Sequence, residues 1–182
     1  MHQLPNLLTL LRLALVFPIA GLLLSERHGQ ALVLFAIAGG SDALDGFLAR
    51  RFGWTSRFGS LLDPLADKLL LVTSFICLTI TQVVPLWLAL VVFLRDLVIL
   101  LGAGLYRMMA GPAEFSPSRL GKLSTLLQML LVVCLLLEFS LAPVLAWLRW
   151  PLSWLVLVVT LCSGAQYVWD WGRKYRYARM RA

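Results

Sequence analysis

Six apolar runs, each long enough to cross a bilayer as an α-helix, dominate this sequence of 182 residues. The connections between them are short, and the longest one, at 107–119, is interrupted by Gly111-Pro112 and Pro117. The chain is 60% hydrophobic and 14% charged, whereas a soluble domain is typically about a quarter charged. The pattern therefore predicts an all-α, polytopic membrane protein that forms a single domain over 1–182. The predicted transmembrane helices are 7–24, 31–50, 60–81, 84–106, 120–140 and 146–168.

The distribution of basic residues predicts the orientation of these helices. If the loop at 51–59 faces the cytoplasm, all but two of the 16 Lys and Arg residues lie on or toward that side, the exceptions being Arg27 and Arg149. Cytoplasmic loops of membrane proteins carry such an excess of positive charge, so both termini are predicted to be cytoplasmic. The same rule accounts for the net charge of +7, and we therefore predict no nucleic-acid partner.

Weaker features concern packing and the outer side of the membrane. Gly102 and Gly104, two residues apart in the fourth run, are small residues of the kind that allow helices to pack closely. Glu138 falls near an outer helix end, where we expect it to be solvated. His28 falls in the predicted outer loop, across the membrane from the acidic residues described next, so no catalytic role is expected for it.

Four of the nine acidic residues fall in one stretch, 41–68, which reads SDALDGFLARRFGWTSRFGSLLDPLADK. Asp42 and Asp45 are three residues apart at the end of the second predicted helix, and Asp63 and Asp67 are four apart at the start of the third. Residues at these spacings share a helix face, and the short loop makes the two helices antiparallel neighbours. The sequence therefore predicts that four carboxylates converge at the cytoplasmic ends of helices 2 and 3.

Carboxylates in such a cluster repel one another unless cations compensate their charge. One or two Mg²⁺ or Mn²⁺ ions suit a set of oxygen ligands, so the pattern indicates a divalent metal and, beside a membrane, phosphate chemistry. The small residues Gly46, Ala49 and Gly59 would let a phosphate-bearing ligand approach the backbone. Arg50 adds a positive charge suited to a phosphate group.

Two other interpretations of the aspartates stay open. Carboxylates at a membrane border also serve structure by pairing with a nearby arginine, and acidic clusters also line the paths of cation transporters and channels. The phosphate interpretation is favoured because the acids sit at one rim and no further acid continues a path across the bilayer. The Gly, Ala and Arg positions also fit nucleotide and phosphate binding, which an ion path does not need.

The spacing resembles the signature of the CDP-alcohol phosphotransferases, D-x2-D-G-x2-A-R-x8-G-x3-D-x3-D. Eight specified positions with fixed gaps make a chance match improbable. The N-terminal Pro5-Asn6-x2-Thr9-x2-Arg12 also looks like the opening of family members. All eight signature positions are present, as Asp42, Asp45, Gly46, Ala49, Arg50, Gly59, Asp63 and Asp67.

Within that family the chain looks most like the branch that makes phosphatidylglycerophosphate or cardiolipin. The phrases FGSLLDPLADKLLL and LGKLSTLLQM carry this likeness. Phosphatidylglycerophosphate synthases tend to show Arg-Glu in the fourth helix, whereas this chain has Arg95-Asp96, which looks more like cardiolipin synthases that use a CDP-lipid donor. The resemblance implies a bacterial inner-membrane enzyme with its active site toward the cytoplasm, and commonly a homodimer. A catalytically idle family member is the remaining alternative.

The resemblance also implies roles for the motif residues. The donor would be CDP-diacylglycerol and the released product CMP. One or two Mg²⁺ or Mn²⁺ ions would be held by Asp42, Asp45, Asp63 and Asp67, and Asp67 would act as the general base. The cytidine diphosphate would be bordered by Gly46, Ala49, Arg50 and Gly59.

A second group of basic residues suggests where an anionic acceptor would bind. The group lies on the fourth helix, the following loop and the fifth helix, and its members are Arg95, Arg107, Arg119 and Lys122. Glycerol-3-phosphate and phosphatidylglycerol both carry a phosphate and a free glycerol hydroxyl, and the sequence does not choose between them. Arg107, Arg119 and Lys122 also fit the positive-inside rule alone, while Arg95 lies deeper and either binds phosphate or pairs with Asp96.

Overall fold

Among the residues that the structure describes, the chain forms six α-helices and no β-strand. A computed structural model describes the backbone of residues 4–52, 59–110 and 118–179. Within these ranges the side chains of 4–8, 42–52, 59–62, 64, 103, 105–110, 172 and 174–179 are outside the description. The helices are α1 (Leu4–Leu24), α2 (His28–Phe52), α3 (Gly59–Ile80), α4 (Leu86–Ala110), α5 (Arg119–Ser140) and α6 (Ala146–Arg179), with one 3-10 turn at Pro143–Leu145.

The predicted all-α fold class and the six helices are confirmed, and one boundary is clearly different. The sequence predicts that the last helix ends at 168, whereas α6 continues to Arg179. The prediction followed the apolar run, which stops where the basic tail begins. Arg, Lys and Ala are nevertheless good helix formers, so the helix continues through that polar segment.

Two helices end in tight turns, and each turn contains one residue with a left-handed backbone conformation. Glu26 (φ 57°) follows α1 and Gln82 (φ 61°) follows α3. At the second turn the Val83 N–H donates to the Leu78 carbonyl at 2.9 Å and the Gln82 N–H donates to Thr79 at 3.1 Å. The first turn has the same pattern of 6→1 and 5→2 hydrogen bonds, so both helices end in Schellman motifs. The short connection predicted at 82–83, between the runs 60–81 and 84–106, is thus a tight turn.

Within the described part of the chain, two helical segments are long and apolar enough to cross a membrane by length and composition, namely Arg119–Ser140 and Pro143–Trp171. A shorter apolar segment occupies Thr9–Leu24. Large apolar side chains also face outward, among them Phe17, which is 80% exposed, and Leu100, which is 71% exposed. These features are those of a membrane protein. That all six helices cross the bilayer, with both termini in the cytoplasm, stays a prediction.

The chain divides into two compact units. The first comprises Met1–Val84 with Val132–Ala146, and in it α1 packs against both α2 and α3. Apolar residues form its core, and these include Ile19, Leu23, Phe35, Leu70 and Phe75. Because α1 packs against α3, polar groups in the N-terminal part of α1 contact the first turns of α3.

The second unit comprises Pro85–Leu131 with Trp147–Ala182. Here α5 and α6 are joined by buried hydroxyl and amide groups: the Ser124 and Thr160 hydroxyls lie 3.0 Å apart, and Gln128 Nε2 donates to Ser124 Oγ at 3.0 Å. Interhelical hydrogen bonds between such side chains are a common means of association for helices in lipid.

The prediction for Glu138 is wrong. Its side chain is 6% exposed, in the first unit, rather than solvated. His28, predicted to lie in the outer loop, is the first residue of α2 and is buried with its ring centroid 5.0 Å from that of Phe139. The position of Glu138 near a helix end predicted that its side chain would be exposed. The start of α2 instead contacts the end of α5, where both His28 and Glu138 are buried.

The two glycines of α4 differ in their surroundings. A Cβ atom built on Gly102 would lie 1.3 Å from Cζ3 of Trp171 on α6, so the indole occupies the space that any other residue would need. A Cβ on Gly104 would meet no described atom within 4 Å. The predicted close packing is therefore confirmed at Gly102 and wrong for Gly104.

We expect Gly102→Ala to lower the stability of the protein, because the methyl group displaces Trp171. Overpacking of this kind costs about 1–3 kcal/mol. Gly104→Ala is the matched control, and it should be neutral or stabilising by up to about 1 kcal/mol, since Ala is the better helix former. Thermal unfolding in detergent would measure both variants. An unchanged Tm for Gly102→Ala would show that the indole does not occupy this position in solution.

Candidate active site

Two side chains of α1 bind the two aspartates of α3. Thr9 and Arg12 are three residues apart and Asp63 and Asp67 are four apart, so each pair occupies one face of its helix. The Thr9 hydroxyl donates a hydrogen bond to Asp63 Oδ1. Arg12 Nη1 donates to Asp67 Oδ1 at 2.8 Å, which is also an ion pair. The spacing of the two pairs brings each donor opposite one carboxylate.

Burial differs across this contact. The side chain of Arg12 is 0% exposed and that of Asp67 is 31% exposed. A fully buried guanidinium requires a compensating negative charge, since an unpaired ion in an apolar interior is strongly unfavourable. Arg12 thus holds Asp67 from the protein side while part of the carboxylate remains accessible to a ligand.

For the rest of the motif, only the backbone positions are described. Asp42, Asp45, Gly46, Ala49 and Arg50 lie in the C-terminal part of α2, and their side chains are outside the described part of the chain. Gly59 is the first residue of α3. The helical backbone supports a shared face for Asp42 and Asp45, three residues apart. Convergence of all four carboxylates stays a prediction.

A divalent metal fits the residues that are described. No group of three or more His, Cys, Asp or Glu side chains capable of holding a metal occurs among them, and the side chains of Asp42 and Asp45 lie outside the described ones. Asp63 and Asp67 supply carboxylate oxygens, the hard ligands that Mg²⁺ and Mn²⁺ prefer. A carboxylate has about four lone-pair sites, so one that accepts a hydrogen bond from Thr9 or Arg12 can also ligate a metal.

In the second unit, Arg95 is held by three neighbours. Its Nη1 pairs with Asp96 Oδ1 at 2.9 Å, and its Nη2 donates to Ser163 Oγ at 2.7 Å. The guanidinium carbon lies 5.8 Å from the centre of the Tyr167 ring, close enough for a cation–π interaction. The side chain is 9% exposed, and its Nε finds no hydrogen-bond partner among the described residues. Of the two predicted alternatives, pairing with Asp96 is thus present in the structure.

Tyr167 and Ser118 organise the start of α5 beside this arginine. The Ser118 N–H donates to the Tyr167 hydroxyl at 3.1 Å, and the Ser118 hydroxyl accepts from the Gly121 N–H at 3.0 Å as a helix N-cap. A Cβ on Gly121 would lie 3.1 Å from Arg95 Nη2 and 3.3 Å from the Tyr167 hydroxyl. The absence of a side chain at Gly121 therefore lets the guanidinium and the phenol meet at this helix end.

A cavity of about 420 Å³ opens at the same place. Its polar lining includes Arg95, Lys122 and Tyr167, and its apolar lining includes Ile99, Leu126 and Met129. Of the predicted acceptor residues, the structure thus brings Arg95 and Lys122 together. Arg119 is exposed and is not part of the lining, and the side chain of Arg107 is outside the described part of the chain.

Sequence reasoning gave no site role to Thr9, Arg12 or Tyr167. In the sequence, Thr9 and Arg12 belong to the N-terminal pattern that resembles the opening of family members, and Arg12 also fits the positive-inside rule. A usable signal was present: a cation deep in an apolar helix, three residues after a hydroxyl, needs a polar partner. Tyr167 carried no such signal, because tyrosine is common in membrane helices.

Comparison with known proteins places these residues in a family. A model of the CDP-alcohol phosphatidyltransferase family matches residues 2–162. A Streptomyces coelicolor protein named cardiolipin synthase (CMP-forming) is 37% identical over 79% of this chain and 72% of its own length. A Bacillus subtilis protein named CDP-diacylglycerol–glycerol-3-phosphate 3-phosphatidyltransferase is 31% identical over 92% of this chain and 94% of its own length.

Longer relatives contain the same region. A Schizosaccharomyces pombe protein named as a cardiolipin synthase (CMP-forming) and mitochondrial hydrolase fusion is 35% identical over 90% of this chain. The chain spans only 30% of that protein's length. The family match nevertheless covers both helices of the aspartate motif and, of the residues that line the basic cavity, all except Tyr167. The chain therefore belongs to the CDP-alcohol phosphatidyltransferase family.

Proposed function

We propose that this protein is a membrane phosphatidyltransferase of phosphatidylglycerol and cardiolipin synthesis. It moves a phosphatidyl group from CDP-diacylglycerol to a glycerol-type acceptor, glycerol-3-phosphate or phosphatidylglycerol, and releases CMP. Family membership and the names of relatives that cover most of this chain support the reaction.

The observation that carries this proposal is the pair of carboxylates on one face of α3. Asp63 and Asp67 are each held from α1 by a dedicated donor, Thr9 and Arg12, and Asp67 stays partly exposed. A carboxylate that is oriented by a buried partner and remains partly exposed is suited to accept a proton or to bind a cation. A purely structural ion pair has no need of that exposure.

Mg²⁺ or Mn²⁺ would be held by Asp42, Asp45, Asp63 and Asp67, as one or two ions. When bound, such an ion neutralises diphosphate charge and stabilises the leaving phosphate oxygen. Gly46, Ala49 and Gly59 would leave room for the cytidine diphosphate, and Arg50 would meet one of its phosphates.

The chemical step needs one proton acceptor. The acceptor hydroxyl loses its proton to Asp67, and its oxygen forms a bond to the phosphorus that carries the diacylglycerol. The bond between that phosphorus and the oxygen of CMP breaks, and CMP leaves with the electron pair. Arg12 acts as a positioning residue here, since its bond to Oδ1 fixes the orientation of the Asp67 carboxylate.

The setting follows from the charge distribution. We place both termini and the aspartates on the cytoplasmic side of a bacterial inner membrane, within one domain over 1–182. The excess of basic residues toward that side supports the orientation, and coverage of nearly the whole Bacillus subtilis relative supports the bacterial setting. A homodimer completes the proposal and would be tested by the mass of the protein in detergent.

The reaction is tested by CMP release from CDP-diacylglycerol with purified protein in detergent. Glycerol-3-phosphate, phosphatidylglycerol, serine and inositol phosphate are offered separately, with Mg²⁺ or Mn²⁺. We expect release with one of the two glycerol-type acceptors and none with serine or inositol phosphate, because neither carries a glycerol hydroxyl. Chelation of the metal should stop the reaction, and its return should restore it. Folded protein that binds Mn²⁺ but releases no CMP with any acceptor would contradict the proposal.

A further inference from the structure

One side of α6 is exposed over most of the length of the helix. Exposed residues recur on it at intervals of three or four positions, the spacings that share one face of a helix. The opposite side is buried and carries Thr160 and Ser163. The residues of this exposed face of α6 are Trp154, Val158, Leu161, Ala165, Trp169 and Arg173.

Exposed tryptophans lie near both ends of the apolar part of α6. Trp150 and Trp169 are 19 positions apart, and no Asp, Glu, Lys or Arg falls between them. At about 1.5 Å per residue they are separated by about 28 Å along the helix, close to the ~30 Å thickness of the hydrocarbon core of a bilayer. Tryptophan is enriched at the two membrane–water interfaces. Trp169 therefore marks the level at which acyl chains give way to headgroups.

The exposed face becomes cationic just beyond that level. Arg173 and Arg176 follow Trp169 at four and seven positions, and α6 continues to Arg179, so the helix carries both arginines on the face of Trp169. Arg173 is exposed. It lies about 6 Å past Trp169 along the helix, and the headgroup layer is about 5–8 Å thick on each side of a bilayer. The cationic part of the face thus lies at the depth of lipid phosphates.

The charge at this end of the face matches an anionic phospholipid. The two arginines and Asp170, three positions before Arg173, leave about one net positive charge by simple counting. The phosphodiester of a zwitterionic lipid is balanced by the ammonium of its own headgroup, whereas that of an anionic lipid is not. The planar guanidinium also matches the geometry of a phosphate group.

A second copy of the chain fits this face less well than a lipid does. Two copies in one membrane share an orientation, so a two-fold contact through this face brings the same ends together. Arg173 and Arg176 of one copy would then oppose the same two residues of the other. Like charges that meet across an interface are unfavourable, whereas an anionic lipid brings the opposite charge.

We propose that the exposed face of α6 binds an anionic phospholipid of the surrounding bilayer. The acyl chains lie along Val158, Leu161 and Ala165, and Arg173 and Arg176 bind the phosphate. The site takes no part in the phosphatidyl transfer, so it stands whether or not the protein catalyses that reaction.

The first test measures binding as the rise in Tm of lipid-depleted protein in a neutral detergent. The probes are dioleoyl phosphatidylserine, dioleoyl phosphatidylcholine and inorganic phosphate, and none of them carries a glycerol hydroxyl that could act as acceptor. We expect phosphatidylserine to bind about tenfold more tightly than phosphatidylcholine, since each basic residue near an anionic headgroup contributes a few-fold. Inorganic phosphate should give no shift, because it has no acyl chains to place on the face. Equal affinities for the two lipids, or an equal shift with inorganic phosphate, would overturn the proposal.

The second test locates the lipid on the helix. Arg173→Gln removes a charge from the exposed face, and Lys174→Gln is the matched control, because Lys174 follows Tyr167 by seven positions and belongs to the opposite side. We expect the affinity for phosphatidylserine to fall about fivefold in Arg173→Gln and by less than about twofold in Lys174→Gln. The Tm of Arg173→Gln without lipid should match that of the wild type, since the position is exposed. Equal losses of affinity in both variants would indicate diffuse attraction to positive charge and would overturn the site.

A third measurement separates a bound lipid from a second copy of the chain. Bromine on acyl chains quenches nearby tryptophans, and the difference between the wild type and Trp169→Phe reports Trp169 alone. At equal concentrations, brominated phosphatidylserine should quench Trp169 at least about twofold more than brominated phosphatidylcholine, and Arg173→Gln should remove that difference. The mass of the protein in detergent should be the same for Arg173→Gln and the wild type. A change of mass, or equal quenching by the two lipids, would overturn the proposal.

Discussion

Replacement of Asp67 by asparagine is expected to lower CMP release about 10³-fold, which is within the usual contribution of a general base. The amide keeps the shape of the carboxylate, and its oxygen can still accept the hydrogen bond from Arg12 Nη1. It cannot take a proton from the acceptor hydroxyl, and it is a poorer ligand for Mg²⁺ or Mn²⁺. The measurement is the rate of CMP release at saturating donor, acceptor and metal.

The same substitution removes a negative charge beside a fully buried guanidinium, so its effect on stability must be separated from its effect on chemistry. The double variant Arg12→Gln with Asp67→Asn removes both charges together. We expect its Tm to lie closer to that of the wild type than the Tm of Asp67→Asn does, because no unpaired charge is left buried. Its CMP release should stay as low as that of the single variant.

Two outcomes would contradict the role of Asp67. Near-normal CMP release by a folded Asp67→Asn variant would show that another group takes the proton. Recovery of activity in the double variant would show that Asp67 serves only to balance the charge of Arg12. Metal titration of the same proteins would reveal whether the loss reflects weaker Mn²⁺ binding.

Truncation of Arg12 to alanine is expected to have the largest effect on stability in this chain. The side chain is completely buried and paired at 2.8 Å with Asp67, so its removal leaves a void and a carboxylate that has lost a charged partner. Loss of one member of a buried ion pair typically costs about 3–5 kcal/mol. We expect a clear fall in Tm and in the yield of folded protein from detergent.

Arg27→Ala is the matched control for Arg12→Ala. Arg27 lies just after α1, the helix that contains Arg12, and its side chain is exposed. Its hydrogen bond to the Leu22 carbonyl comes from the backbone N–H, so the alanine variant keeps it. Exposed substitutions of this kind usually change stability by less than about 0.5 kcal/mol. An equal loss of stability in both variants would show that Arg12 contributes only as one positive charge among many.

Arg12→Lys distinguishes charge from geometry at this position. Lysine keeps the positive charge, but its compact ammonium lacks the planar fork that positions a carboxylate. We expect stability to be largely restored while the rate of CMP release stays low, because Asp67 is no longer fixed in orientation. Full recovery of both properties would mean that orientation by the guanidinium has no part in the reaction.

The sequence by itself determined the helices and the position of the acidic motif along them. Long apolar runs separated by short polar connections specify helices without reference to any neighbour, because the backbone hydrogen bonds lie within each segment. Fixed spacings of three and four residues likewise place Asp42 with Asp45, and Asp63 with Asp67, on one face of each helix. Those relations are local, so six helices and the motif on α2 and α3 were predictable.

Only the tertiary structure decided which polar groups meet. Arg12 lies 55 residues before Asp67, and Tyr167 lies 49 residues after Ser118, so neither contact follows from spacing along the chain. In helices that are apolar on most faces, no polar stripe marks the side that packs inward. The rotation of each helix about its axis, set by side-chain packing, therefore buried Glu138 and placed Trp171 against Gly102. The same packing brought Ser163 to Arg95 at the edge of the basic cavity.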